Sequence, residues 1–493
     1  MSRDHRGSPS AAGGSTGDLD AILTGGYDVG SGALSAVSAS ARTVLNDVGL
    51  YETRFVGTPT AEERDRMQSV SAMSSSKVGD ESMIAAELFG AQPGIAYDPV
   101  VGHFHDLYVG FVAEGDYRRD GSSGGFGSWI LSELLRTGDV DHVIHVAPTA
   151  DGADVLFDFT VSSSPDDVAA GSKSRYYPVQ LDGVLRTMRE QPGRYAVVGI
   201  PSVIFELRLL AAADAQIGER LAFTVGLVCG HQKSTKYAES FAWQCGIKPG
   251  DLRAFDFRVK VPEGRAWDYR MEMTGLIDGD EVTIVKRQDE LFGSDWGLGF
   301  FKANFSDFTD DAFNETADVV VGDAWLPEYD GDPNGTNVVI VRDARIAEIV
   351  NAAIAEGRLS LEATVPEKVH RSQRGLVRHT RDEIGYRLAR ADAAGRWRPS
   401  KRYEAVGSTT RLRRRIQRSR TEMAEQSHIH YARAVELGDW EYFHERMTTL
   451  VRRHERLYAA LRTRAVFKEQ GVVVGLRSVA GRLLAPLRQR NGS

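Results

Sequence analysis

The run GSSGG at residues 121–125 is the stretch of this chain best suited to bind an anion. It stands just before a helix-like apolar segment at 129–136, so its backbone N–H groups would lie at a helix N-terminus, where partial positive charge collects. Gly124 and Gly125 let the backbone approach a phosphate, and Ser122 and Ser123 supply hydroxyl donors. We therefore predict a phosphate or pyrophosphate site here. The alternative is a flexible turn with a serine as helix N-cap.

A second polar stretch, SKSRYYPV at 172–179, combines cations with aromatic rings. Lys173 and Arg175 are suited to holding a phosphate, and Tyr176 is suited to stacking on a ring. The alternative interpretation is an exposed basic turn.

Three apolar segments end in small or turn-forming residues: GIPS at 199–202, GLVCGH at 226–231 and VVVGDAW at 319–325. Gly199 and Pro201 would either bring backbone close to a flat ring or form a tight strand-to-helix turn. Cys229, at a strand end, has the pattern of a small buried hydrophobe. Asp323 would hold a ribose hydroxyl or an amine, or serve only as a turn former.

Strand-like and helix-like segments alternate between about residues 120 and 230. Strands are expected at 140–148, 195–201 and 221–230, with helices between them. This alternation predicts an α/β fold with a mostly parallel sheet and flanking helices. Ligands of open α/β sheets bind at the carboxyl ends of strands, so the polar loops are expected to meet at one edge. Shorter strands beyond Lys236 predict an α+β extension.

Length and charge divide the 493 residues into regions. We expect a disordered Gly/Ser-rich arm at 1–30, a segment of unclear structure at 31–94, one large domain at 95–360 and a basic helical C-terminal region at 382–493. Gly438 and Asp439 are expected to break that region into a helical hairpin. Residues 401–493 carry a net charge of +11, whereas residues 1–400 carry -19.

Composition excludes several classes of protein. With 42% hydrophobic and 26% charged residues, the chain is neither fibrous nor wholly disordered. It has no apolar window of about 20 residues and no secretory signal pattern at its start, so we expect a cytoplasmic protein. Cys229 and Cys245 are the only cysteines, which excludes a four-cysteine iron–sulfur or zinc site within the chain. No metal site is predicted.

Six stretches, taken in order over roughly residues 100–350, resemble the coenzyme F-420 hydrogenase/dehydrogenase beta subunit family. That family has a Ser-Gly-Gly loop before a helix, a Gly-Ser-Lys-Tyr-like turn, Gly-x-Pro-Cys, a cysteine-containing strand end, Cys-x-x-Cys-x-Asp-Phe and a strand ending in Gly-Asp. Here these motifs read SSGGFGSWI, GSKSRYYPV, GIPS, GLVCGH, KANFSDF and VVVGDAW. Ser202, Lys302 and Phe305 replace three family cysteines, and only Cys229 stands at a family cysteine position.

The resemblance implies an oxidoreductase that binds FAD in the 95–360 domain and exchanges hydride with the deazaflavin coenzyme F-420 or a similar carrier. The replaced cysteines imply that no iron–sulfur cluster takes part, since hydride can pass directly between stacked rings that the protein orients. The residues implied to contact the cofactors are Ser122, Ser123, Gly124 and Gly125 with Lys173 and Arg175 at the phosphates, Gly199, Pro201, Cys229 and Gly230 at the ring, and Tyr176 and Asp323 beside them. No catalytic residue is assigned. His231 is the nearest titratable candidate, with a structural role as its alternative.

A second hypothesis is a non-redox binding or assembly module of the same fold. Sequences that lack the cluster cysteines and have a similar Ser-Ser-Gly-Gly loop are associated with polysaccharide biosynthesis, which links the module to that pathway. It predicts a colourless protein that takes up no FAD.

The C-terminal region suggests partners beyond a small-molecule hydride carrier and an unassigned substrate. Its arginines at 411–420 are suited to phosphate-rich partners, of which we expect peripheral contact with an anionic membrane surface and not nucleic acid. The alternative is a solvated helix face that pairs with the acidic remainder of the chain. One apolar helix face is predicted from the spacing of Leu450, Leu457 and Leu461, and such a face normally packs against another surface. We expect that surface to belong to a second copy of the chain. The chain's own domain and a membrane are the alternatives.

Overall fold

The computed structural model describes residues 17–150, 152–407 and 409–488, with side chains described as far as residue 464. The helices are α1 Gly17–Thr24, α2 Ala33–Ala36, α3 Ala61–Val70, α4 Glu81–Phe89, α5 Tyr117–Asp120, α6 Phe126–Arg136, α7 Pro165–Ala170, α8 Asp182–Glu190, α9 Pro201–Ala213, α10 Ala215–Arg220, α11 Lys236–Gln244, α12 Ala344–Ala355, α13 Pro366–Ser372, α14 Arg374–Val377, α15 Ile384–Ala393, α16 Arg411–Leu437 and α17 Trp440–Arg488.

The strands are β1 Ala41–Leu45, β2 Tyr51–Phe55, β3 Ala96–Asp98, β4 Gly102–Phe104, β5 Asp106–Val112, β6 His142–Pro148, β7 Phe157–Ser162, β8 Tyr195–Gly199, β9 Leu221–Leu227, β10 Leu252–Val259, β11 Arg270–Ile277, β12 Asp280–Arg287, β13 Val319–Asp323, β14 Asn337–Val341 and β15 Leu359–Ala363.

An eight-stranded sheet forms the centre of the larger unit, in the order β15-β5-β14-β13-β9-β8-β6-β7. Strands β6, β8, β9 and β13 are mutually parallel, and β5 runs in the same direction. Strands β7, β14 and β15 run against them. Carboxyl ends of β5, β6, β8, β9 and β13 therefore share one edge of the sheet.

Helices cover both faces of this sheet because its central strands are apolar on both sides. All five residues of β14, NVVIV, are buried. On one face α6 and α12 pack through Trp129, Ile130 and Ile346. On the other face α8 and α9 pack through Leu185 and Phe205. The predicted α/β fold is confirmed, and the expected extension is the antiparallel sheet β10-β11-β12.

The chain forms two compact units, one made of residues 17–291 and 302–406 and the other of 292–301 and 407–488. The expected boundary at 382 is therefore wrong, since Ile384 and Leu388 of α15 are fully buried in the core of the larger unit. The segment 31–94 also belongs to this unit, where Met67 and Val70 of α3 lie in the same core.

The disordered arm expected at 1–30 is wrong for residues 17–30, while residues 1–16 lie outside the described residues. Helix α1 buries Leu19 and Ile22 completely. The indole Nε1 of Trp397 donates a 3.1 Å hydrogen bond to Asp18. Two apolar residues three positions apart were enough to bury one side of this short helix, although Gly and Ser dominate the sequence before it.

The smaller unit contains the predicted hairpin of α16 and α17. Gly438 ends α16 in the left-handed conformation, with φ 64°, which glycine adopts without strain. Leu457 of α17 packs on Leu412 and Ile416 of α16, with Leu461 beside them. The hairpin itself thus covers part of the predicted apolar face, and self-association through it stays a prediction. Across the described helices, none is long and apolar enough to span a membrane.

Candidate functional site

The predicted anion loop lies at the carboxyl edge of the large sheet. Residues 121–125 connect α5 to α6, and the carbonyl of Gly124 accepts a hydrogen bond from the backbone N–H of Val112 at the end of β5. Asn337, the first residue of β14, accepts a 3.1 Å hydrogen bond from the N–H of Phe126 through its side-chain oxygen. The start of α6 is therefore held directly against the sheet edge.

The backbone N–H groups of this loop are available to a ligand. Within the described part of the chain, those of Ser122, Ser123, Gly124 and Gly125 donate no hydrogen bond. Three of these four residues are buried. Buried N–H groups normally find an acceptor, so unpaired donors at the N-terminus of an 11-residue helix favour an anion as their partner.

A lysine that the sequence analysis did not single out stands at this loop. The Lys260 ammonium donates a 3.0 Å hydrogen bond to the carbonyl of Ser123 and another to the carbonyl of Arg118. Burial lowers the pKa of Lys260 to about 8, and the neighbouring cations Arg118, Arg258 and Lys173 add to the effect. An anion bound here would relieve this repulsion among cations.

The second predicted stretch meets the first. The backbone N–H of Ser174 donates a 2.7 Å hydrogen bond to the Ser122 hydroxyl, and the Ser172 hydroxyl donates to that of Ser128 at 2.9 Å. Lys173 adopts a φ of 126°, which non-glycine residues rarely adopt. Its ammonium pairs with Asp256 of β10 at 2.7 Å.

Arg175 and Tyr176 are held in place by aromatic packing. The guanidinium of Arg175 lies 4.7 Å from the centre of the Phe157 ring, and its Nε atom is buried without a hydrogen-bond partner in the described structure. The ring of Tyr176 packs edge-on against Phe257, with centroids 5.3 Å apart, and burial raises the pKa of its hydroxyl. Arg175 thus keeps an unused donor, whereas one side of Tyr176 is already covered.

A cavity of about 470 Å³ opens beside this turn. The turn contributes Ser172, Lys173 and Arg175 to its lining, and the antiparallel sheet contributes Asp256 and Glu272. Its polar lining of both charge signs suits a ligand with hydroxyl and charged groups.

Asp323 lies at the end of β13 and is committed to a partner. Its carboxylate pairs with Arg258 of β10 at 2.6 Å. Arg258 is only 3% exposed and lies between the rings of Tyr269 and Trp325, at 4.8 and 5.4 Å. The Asp323 oxygen that binds Arg258 is therefore occupied, which favours a structural role for this carboxylate over the predicted contact with a ribose or an amine.

Three residues that sequence reasoning missed come from one strand. Asp256, Arg258 and Lys260 alternate along FDFRVKV at 255–261, and each contacts a predicted site segment: Lys173, Asp323 and the 121–125 loop respectively. Asp256 and Arg258 lie in β10, and Lys260 directly follows its last residue, Val259. This alternation of charged residues was the available signal, but it does not say where the strand lies.

The residues predicted to line the ring lie at the ends of β8 and β9. The side-chain amide of Asn314 donates a 2.9 Å hydrogen bond to the carbonyl of Gly199, where α9 begins at buried Pro201. Gly230 lies under Leu376, whose Cδ1 would be 1.9 Å from a Cβ placed on this glycine. The missing side chain of Gly230 therefore leaves room for Leu376. This side chain occupies the space beside Gly230 where a cofactor ring was predicted.

Cys229 is half-buried, two residues after the end of β9. Burial raises the pKa of its thiol, and the sulfur lies 3.5 Å from the carbonyl of His231. His231 itself is buried. A thiol that stays protonated is a poor nucleophile and a poor metal ligand.

The residues at the family's cysteine positions do not fit an iron–sulfur cluster. Lys302 forms an ion pair with Asp307, and both side chains are less than 10% exposed. Phe305 lies in the hydrophobic core, and Ser202 is buried in the first turn of α9. Clusters are held by cysteine thiolates, and these three side chains supply none.

Replacing Gly124 with alanine is expected to destabilise the protein by about 1 to 3 kcal/mol, the usual range for overpacking. A Cβ at Gly124 would lie 2.7 Å from the Asn337 side-chain oxygen and 2.9 Å from the carbonyl of Gly110. The positive φ of this loop belongs to Gly125, at 87°, so the expectation of strain at Gly124 rests on space and not on φ.

Gly127→Ala is the matched control, because a Cβ there meets only Val321, at 3.5 Å. Being inside α6, it is expected to gain up to about 1 kcal/mol of helix propensity. Thermal unfolding compares the two variants, and cofactor content is measured in parallel. Equal stability of both variants would show that the space around Gly124 is not restrictive.

Two family models match the chain. The coenzyme F-420 hydrogenase/dehydrogenase beta subunit N-terminal model matches residues 107–186, and the C-terminal model of the same family matches residues 193–367. A solved structure, from xenon derivatization of the F-420-reducing NiFe hydrogenase complex of Methanosarcina barkeri, includes a chain that is 16% identical, with a TM-score of 0.44 over 59% of this chain and 95% of that one. No curated protein matches. Because the two models together span more than half of the 493 residues, the chain belongs to the coenzyme F-420 hydrogenase/dehydrogenase beta subunit family, as a member that lacks the iron–sulfur cysteines.

Proposed function

We propose that this protein is an FAD-dependent oxidoreductase that exchanges hydride with the deazaflavin coenzyme F-420 or a similar carrier, without an iron–sulfur cluster. The observation that carries the proposal is the loop before α6, where the N–H groups of Ser122 to Gly125 have no acceptor among the described residues and Lys260 lies beside them. We infer the class of the hydride carrier, a deazaflavin coenzyme, from the family to which the chain belongs.

The residues around this loop fit the diphosphate of a dinucleotide. N–H groups of Ser122 to Gly125 would donate to its oxygens, and Lys260 would supply a positive charge at the same place. When bound, FAD supplies two-electron transfer chemistry. The chain's part is to bind the anionic end, to orient the ring along the carboxyl edge of the sheet and to exclude water.

Lys302 supports the proposal that no cluster takes part. A buried lysine paired with Asp307 occupies one position where the family has a cysteine. Removing one member of such a buried pair leaves an uncompensated charge, so the pair is a structural element of this chain. Direct exchange of hydride between two bound rings requires no one-electron relay.

A second candidate function is the non-redox module. It is favoured by the contacts of the ring-lining candidates, since Leu376 covers Gly230 and Phe257 packs on Tyr176. A role of such a module in polysaccharide biosynthesis stays a prediction from the sequence. Under this function the loop at 121–125 would bind a phosphorylated ligand with no flavin.

Purified protein is expected to be yellow and to release FAD on denaturation, identified by mass spectrometry. Reduced F-420 added to the holoprotein is expected to bleach the flavin absorption band, with iron and sulfide absent from the sample. Colourless protein that takes up no added FAD would overturn the proposal and favour the module. A flavin that F-420 does not reduce would leave FAD binding intact and remove the carrier. A full complement of iron and sulfide would contradict the cluster-free chemistry.

A further inference from the structure

Four arginines share one face of α16 at its N-terminal end. Arg411, Arg414, Arg415 and Arg418 have the spacing i, i+3, i+4, i+7, which places them side by side on the helix surface. We call these four residues the arginine face. They are the lining residues of a concavity of about 410 Å³. The opposite side of the helix carries Leu412 and Ile416, which pack on α17.

Three members of the arginine face have no carboxylate partner among the described residues. Arg411, Arg414 and Arg415 form neither an ion pair nor a side-chain hydrogen bond with any residue that the structure describes. Elsewhere in the hairpin, Arg433 pairs with Glu436 at 2.7 Å and Arg453 pairs with Glu422. An alternative interpretation of these arginines was a solvated helix face that pairs with acidic residues. Within the described structure, these three side chains form no such pairs.

The position of these cations opposes the stability of the free helix. The first turn of α16 contains no acidic residue, and a helix N-terminus carries partial positive charge. Arginines at i and i+4 also repel one another. An arrangement that is unfavourable for the helix alone becomes favourable when an anion occupies the concavity.

The chemistry of the lining identifies the class of anion. The guanidinium group binds phosphate oxygens in a bidentate manner, and four such groups surround one concavity. Among the described residues, no aromatic, apolar or acidic side chain lines it, so a base, a sugar or a ring would find no specific contact there. Four positive charges match the charge of two or more linked phosphates better than that of one.

We propose that the arginine face is a binding site for a diphosphate or a longer phosphate chain, either free or as the end of a larger molecule. The site lies outside residues 107–367, which the family models match, and it does not depend on the proposed function. A membrane surface is less well matched, since a helix that lies on lipid needs apolar side chains beside its cations. The exposed apolar residues of α16 begin at Ile429, about 16 Å along the helix from Arg418.

Calorimetric titration of the full chain with sodium pyrophosphate, in the presence of saturating FAD, tests this site. The wild type is expected to bind pyrophosphate, and more weakly at 200 mM than at 50 mM salt. The triple variant Arg411→Gln, Arg415→Gln, Arg418→Gln is expected to lose at least tenfold in affinity. The control triple Arg433→Gln, Arg446→Gln, Arg452→Gln removes the same charge from exposed positions of the hairpin and is expected to keep its affinity.

A second measurement does not depend on variants. Pyrophosphate is expected to protect Arg411, Arg414 and Arg415 from phenylglyoxal, read by peptide mass spectrometry of the wild type. The first triple variant is also expected to unfold at an equal or higher temperature, because like-charge repulsion is removed.

Several results would overturn the proposal. They are no pyrophosphate binding, equal loss of affinity in both triple variants, or unchanged phenylglyoxal reactivity at saturating pyrophosphate. Binding to phosphatidylglycerol vesicles or to duplex DNA that pyrophosphate does not compete would replace the proposal with a membrane or nucleic-acid surface. Vesicle binding that pyrophosphate competes would support it and identify a lipid head group as the source of the phosphates.

Discussion

Replacing Lys260 with methionine is expected to weaken FAD binding by at least tenfold. The ammonium of Lys260 donates to the carbonyls of Ser123 and Arg118. It thus lies beside the N–H groups of Ser122 to Gly125, which have no acceptor among the described residues. A hydrogen bond between charged groups contributes about 1.5 to 3 kcal/mol, which corresponds to roughly 10- to 100-fold in a dissociation constant. Flavin fluorescence titration measures the change.

The pH dependence of the same binding gives a second signature. The pKa of Lys260 lies near 8 in the free protein, so its charge is lost as pH rises through this value. Affinity of the wild type for FAD is therefore expected to fall above about pH 8. Lys260→Arg keeps its charge at these pH values and is expected to remove this fall.

Lys248→Met is the control, because Lys248 is an exposed lysine of the same unit. It is expected to bind FAD like the wild type at every pH. Unchanged affinity in Lys260→Met would place the anionic part of FAD away from this loop, and the proposed phosphate contacts would then be wrong.

Between pH 6.5 and 8 the wild-type protein is expected to lose about 1 to 2 kcal/mol of stability through one buried carboxyl, that of Glu206. Glu206 of α9 is fully buried. Its two oxygens accept hydrogen bonds from the Ser31 hydroxyl at 2.5 Å and the N–H of Ala72 at 3.0 Å. Burial, reinforced by the nearby carboxyl of Asp28, raises its pKa to about 8.

The sign follows from proton binding in the two states. Below the ordinary pKa of a glutamate, near 4.5, the carboxyl is protonated both in the folded and in the unfolded chain. Between 4.5 and 8 the folded state keeps the proton and the unfolded state has lost it, so the free energy of unfolding decreases as pH rises. Several histidines have a lowered pKa in the folded state, so their titration makes the free energy of unfolding increase with pH below about 6.5. The measurements therefore begin at pH 6.5.

In Glu206→Gln, unfolding is expected to release about one proton fewer, because glutamine does not titrate. The free energy of unfolding then falls less steeply with pH than in the wild type. Urea unfolding at pH 6.5, 7.25 and 8 measures it, with Glu190→Gln as the control at an exposed position of α8. Asp311, whose pKa burial raises to about 7, contributes a remaining slope of the same sign in both proteins. A slope equal in Glu206→Gln and the wild type would show that Glu206 is ionised in the folded state.

The sequence predicted that two site segments meet, but it did not predict the contact of Lys260 with one of them. The proximity of residues 121–125 and 172–176 followed from the rule that loops at the carboxyl ends of strands share an edge, and Ser122 and Ser174 are indeed hydrogen-bonded. The role of Lys260 did not follow. It lies 137 residues from Ser123 along the chain, and no local pattern reports which loop a strand end will reach.

Two glycines show what a residue type predicts and what it does not. A glycine in the 121–125 loop indicates conformational freedom, and the positive φ, 87°, belongs to Gly125 and not to Gly124. Gly230 was expected to face a ring, and it faces Leu376, which is 146 residues further along the chain. A residue type indicates that space is needed beside the backbone, but only the packed structure shows what occupies that space.

The amino-acid sequence was enough to predict the α/β class, the strands β6, β8 and β9, the helical hairpin, the family and too few cysteines for a four-cysteine cluster. These features depend on the period of apolar residues, on turn residues and on counts, all of which are local or additive. Other features could be seen only in the folded chain: the reversed direction of β14, the inclusion of α15 in the larger unit, the pairing of Asp323 with Arg258, and the lack of carboxylate partners for Arg411, Arg414 and Arg415 among the described residues. Each of these depends on which distant segments come into contact, because charge pairing, burial and strand direction are set by neighbours in space.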